Sequence, residues 1–87
     1  MNPTTSLPEA FPVASHAVSI LVFDEVEALD FAGPYEVFTT ASRVWARSHP
    51  ESPALFTVQS VARNADAVRA RAGLRLLPDA TFDTLPP

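Results

Sequence analysis

The 87-residue chain has no cysteine and no lysine, and only two glycines. Without cysteine, these residues form no disulfide, no thiolate metal site and no sulfur nucleophile. With only Gly33 and Gly73, neither a G-x-G-x-x-G fingerprint nor a P-loop can be written. There is no G-x-S-x-G elbow either. No run of about 20 apolar residues exists, so no membrane-spanning helix is expected. Met1 to Thr5 lack the basic start and apolar stretch of a secretory signal. A cytoplasmic location is the expectation. The missing lysine leaves arginine as the sole cationic side chain at neutral pH. With abundant alanine, this reads as the codon usage of a GC-rich genome and carries no function.

What remains is globular in character, with 47% hydrophobic and 18% charged residues. The length allows one small domain. Charge is uneven along it. Residues 1 to 36 hold six acids and no base, whereas residues 37 to 87 hold six arginines and four acids. The net charge of −4 and a pI near 4.9 argue against a nucleic-acid partner. Arg69, Arg71 and Arg75 cluster, but their alternate spacing also fits a solvated strand face.

Residues 1 to 17 carry Pro3, Pro8 and Pro12 among small and polar residues and read as a flexible leader. Val18 to Phe23 is a β-branched apolar run, as in a strand covered on both faces of a parallel sheet. Asp24 to Glu27 reads as the loop leaving that strand. A helix is predicted to begin near Pro34, since proline suits a first turn. Val37, Phe38, Ala41, Val44 and Trp45 then form one apolar stripe at helical period. Leu55 to Ala62 alternates as a second strand, completing a βαβ unit. Val68 to Leu76 reads as a hairpin about Gly73, and Pro78 to Asp83 as a turn or short helical segment. A parallel sheet this small is not a stable domain. The 18–87 stretch is therefore expected to be the incomplete front part of a larger α/β domain.

Chemistry-bearing residues are few. His16 and His49 lie far apart and read as exposed side chains rather than metal ligands. The acids Asp24, Glu25, Glu27 and Asp30 lack the calcium-loop spacing and read as a solvated loop. Asp30 stands out, because Leu29 and Phe31 flank it and a helix follows. Ligands in open α/β sheets bind beyond the carboxyl ends of the strands, where this loop opens. Asp30 can be a general acid or base, or a helix-capping residue that accepts backbone N–H groups.

The run Leu29-Asp30-Phe31-Ala32-Gly33-Pro34-Tyr35-Glu36-Val37-Phe38 after the Val18 to Phe23 strand resembles the opening of the ThiJ/PfpI family. This family belongs to the class I glutamine amidotransferase-like superfamily. Isonitrile hydratase-like members are the nearest subgroup, with their "LD-x-x-GP-x-[DE]-V" start. Val68 to Phe82 is similar to that subgroup's hairpin region. The resemblance implies the front part of a flavodoxin-like three-layer α/β/α sandwich with a mostly parallel sheet. It implies a catalytic Asp30 acting with an elbow cysteine to hydrate an isonitrile to an N-substituted formamide. No cofactor and no metal are implied, and the partners are a small-molecule substrate and a possible homodimer mate, with no membrane. The cysteine is absent here, so the chain alone is expected to be an inactive, truncated fragment. The alternative is the ligand-sensing, amidotransferase-like domain of an AraC-type transcription regulator.

Overall fold

The computed structural model describes residues 15–85. The leader expected over 1–17 lies outside the described residues as far as position 14. Its last two residues, His16 and Ala17, belong to the first strand, β1 (His16–Leu21). A single long helix, α1 (Ala28–Ser48), crosses to β2 (Phe56–Ala62). β1 and β2 run parallel, with Val18 opposite Val58 and Leu21 opposite Val61. The ladder continues past both ends, where His16 N–H donates to Leu55 O and Val22 N–H to Val61 O, each at 2.9 Å. This is the expected βαβ unit.

β3 (Val68–Arg69) and β4 (Arg75–Leu76) form the expected antiparallel hairpin. Its short 3₁₀ turn, Arg71–Gly73, needs left-handed backbone at Ala72 (φ 68°) and Gly73 (φ 105°). Only the second is a residue that adopts it without strain. β5 (Ala80–Thr81) then lies parallel to β2, giving the sheet order β1-β2-β5. A turn or helical segment was expected over Pro78 to Asp83. The strand forms because Asp79 exchanges bonds with Ser60: Ser60 N–H donates to Asp79 Oδ2 at 2.8 Å, and Asp79 N–H to Ser60 O at 3.0 Å. A 3₁₀ turn, Phe82–Thr84, follows it.

Three further expectations are corrected. The helix begins at Ala28 rather than near Pro34, so Pro34 lies inside it. Proline has no N–H, and the Asp30 carbonyl loses its helical donor. Packing overrides that penalty, because Phe31 seats the first turn against the cluster Val22, Val26, Ala62, Val68 and Ala70. The apolar stripe also divides. Phe38 meets Phe56 edge-on at 4.9 Å, whereas Val37 and Val44 face outward. Finally, β1 is covered on one face and paired on one edge: Val18 and Ile20 are half-buried, while Ser19 and Leu21 are exposed. Among the described residues no helix is long and apolar enough to cross a membrane.

Candidate active site

The loop between β1 and α1 is held by backbone chemistry before any side chain acts. Val26 N–H donates to Phe23 O at 3.0 Å, closing a turn whose third residue, Glu25, has φ 73°. Turns with positive φ at that place usually carry glycine. The hairpin holds the loop from the side. Glu25 N–H donates to Arg69 O at 2.8 Å and Arg71 N–H to Val26 O at 2.9 Å. Arg69 N–H donates to Asp24 Oδ1 at 2.9 Å, and the Arg71 guanidinium to Glu27 Oε1 at 2.8 Å.

These bonds sort the four acids. Asp24 and Glu27 are committed to the hairpin, so they are structural. Among the described residues no group of three or more His, Asp or Glu side chains could hold a metal ion. Glu27 is the residue before the helix, and its side chain makes no capping bond because it reaches Arg71 instead.

Glu25 and Asp30 are the two whose carboxylates have no partner among the described residues, and of these only Asp30 belongs to the helix. It lies in the first turn of α1, where a carboxylate complements the helix dipole. Its backbone N–H donates to Glu27 O at 2.9 Å. It is not the capping residue, which removes one of the two readings the spacing left open. Phe31 points into the core and Asp30, one residue earlier, is exposed. About 100° of helical rotation separates neighbours, so anchoring Phe31 fixes where Asp30 points. Among the described residues no hydrogen bond occupies its carboxylate.

Beside this turn lies a hollow of about 290 Å³, lined by Ile20, Phe31, Tyr35, Glu36, Leu77 and Asp79 among others. The spacing of Tyr35 and Glu36 after Phe31 places them on adjoining helix turns, a signal present in the sequence. Asp79 comes from the far side of the hairpin, and no spacing rule brings it there. His16 and His49 are both exposed, as expected. His49 also stacks on Trp45 with ring centroids 3.5 Å apart, a contact the sequence reading missed.

No family profile and no curated protein matches the chain. Its backbone superposes on the crystal structure of a ThiJ/PfpI family protein from Pseudomonas syringae with a TM-score of 0.66. The two are 25% identical, and the match covers 99% of this chain and 30% of that one. The likeness supports the ThiJ/PfpI family. The mixed α/β layout, with its parallel sheet and covering helix, agrees with part of a flavodoxin-like fold. Asp30 stands beyond the carboxyl end of β1, on the side where open α/β sheets bind ligands.

Proposed function

We propose that this chain supplies the acidic half of a ThiJ/PfpI catalytic pair, in an enzyme that hydrates isonitriles to N-substituted formamides. The observation that carries the reading is Asp30, an exposed carboxylate with no hydrogen-bond partner among the described residues, on a first turn fixed by Phe31. Asp24 and Glu27 are already paired and it is not. The thiol partner comes from residues other than these 87, which contain no cysteine.

In this reading the thiolate attacks the terminal carbon of the isonitrile, and Asp30 delivers a proton to the adduct. Water then adds across the C=N bond, its oxygen to that carbon and one proton to the nitrogen; the thiolate leaves, and Asp30 regains the water's other proton. The sum is R–N≡C plus water giving R–NH–CHO. The hollow with Phe31 and Tyr35 on its wall, on the same helix as Asp30, suits the organic substituent R.

The test joins this segment to the remainder of a ThiJ/PfpI family protein chosen because it contains a cysteine, and supplies an alkyl isonitrile. Appearance of the formamide supports the reading. Binding of the isonitrile without turnover points instead to the ligand-sensing domain of a regulator.

A further inference from the structure

We propose that the hairpin face carrying Arg69 and Arg75 is an anion site, taking a phosphate group between two guanidinium groups. This inference is independent of the proposed activity.

The two arginines stand directly opposite each other in the β3–β4 ladder. Opposed residues share one face of a hairpin. The next pair toward the turn is joined by Ala70 N–H donating to Leu74 O at 2.7 Å. Hydrogen-bonded and non-hydrogen-bonded pairs alternate in an antiparallel ladder, so Arg69 and Arg75 are a non-hydrogen-bonded pair. That register brings opposed side chains closest, with Cα atoms about 4.5 Å apart. The Arg69 backbone agrees. Its N–H donates to Asp24 Oδ1 and its O accepts from Glu25 N–H, both on the side away from β4.

Among the described residues neither guanidinium is paired. The ion pair found there is Arg71 with Glu27. Acids are not scarce, since the chain has ten against six arginines. The nearest in the ladder, Asp24, is spent on the Arg69 amide. Both arginines are exposed. Arg69 Nη1 lies 3.7 Å from where a Cβ on Gly73 would stand, so its guanidinium extends along the hairpin toward the turn.

Like charges directly opposite each other destabilise a ladder. An anion between them replaces that repulsion with two attractions. The guanidinium is a planar fork that gives two parallel N–H donors to phosphate oxygens. Two forks on one face supply the charge of a phosphate dianion, which one carboxylate does not match.

Nitrogen NMR of the arginine Nε–H groups reads each side chain separately. The chain is titrated at constant ionic strength with inorganic phosphate and, in a second arm, with phenyl phosphate. The Arg69 and Arg75 signals are expected to shift together and to saturate, while the exposed Arg63 stays still. Arg69→Gln and Arg75→Gln are each expected to weaken binding about tenfold or more, and Arg63→Gln to leave it unchanged. Tighter binding of phenyl phosphate assigns the site to a phosphomonoester, and equal or weaker binding assigns it to the free anion. The proposal is overturned by shifts that grow equally at all arginines without saturating, or by unchanged binding in Arg75→Gln.

Discussion

The Arg71 guanidinium lies 2.8 Å from the Glu27 carboxylate, so the hairpin claims the residue that opens α1. Both side chains are more than half exposed, and such a pair contributes only about 0–1 kcal/mol. Its consequence is positional. By engaging Glu27, the hairpin leaves Asp30 as the uncommitted acid of the first turn.

Asp24 fixes the same loop more firmly, through a charged acceptor on a backbone donor. Asp24→Ala is expected to cost about 1 kcal/mol of stability. The urea midpoint measures it, and hydrogen exchange at the Arg69 amide locates it. An unchanged exchange rate there contradicts the assignment.

Ser42 links the helix to the start of β2. Its hydroxyl accepts from Phe56 N–H at 2.8 Å and donates to Phe56 O at 3.1 Å. Ser42→Ala leaves both half-buried backbone groups without that partner, at a cost of about 1–3 kcal/mol. Ser42→Thr, which retains the hydroxyl, is expected to recover part of the loss. Denaturant unfolding of the two variants separates hydrogen bonding from packing.

Arg69 and Arg75 stand directly opposite each other across the hairpin. Like charges in that register destabilise a ladder. Arg75→Glu is expected to stabilise the protein by about 0.2–1 kcal/mol, and the gain should shrink in high salt. Thermal melts at two salt concentrations read both effects.

Ala72 holds φ 68° with a side chain that disfavours it. Ala72→Gly is expected to raise stability by about 1 kcal/mol. At Gly73, φ 105°, the reverse change to alanine is expected to destabilise by at least as much. Paired melts of these two variants check the sign at each position.

Much of this fold was legible in local pattern. The β-branched run of β1, the alternation of β2 and the arginine-flanked Gly73 each specified an element from its own residues. The boundaries that escaped were set at a distance. Phe31 starts the helix ahead of Pro34 because of a core contributed by the hairpin. β5 exists because Asp79 reaches Ser60, 19 positions earlier in the chain. The outward turn of Val37 and Val44 depends on how narrow a strip of helix the sheet covers. For the site, Asp30 stood out from its neighbours in sequence. The pairing of Asp24 and Glu27 that isolates it could be seen only in three dimensions.

The central claim is that the Asp30 carboxylate takes part in chemistry. It is tested most directly by comparing Asp30 with Asp30→Asn in the joined, thiol-bearing protein, following formamide production. The account predicts a loss of roughly 10²–10⁴-fold in kcat, with circular dichroism and melting point unchanged. Equal turnover by the folded Asn variant contradicts it.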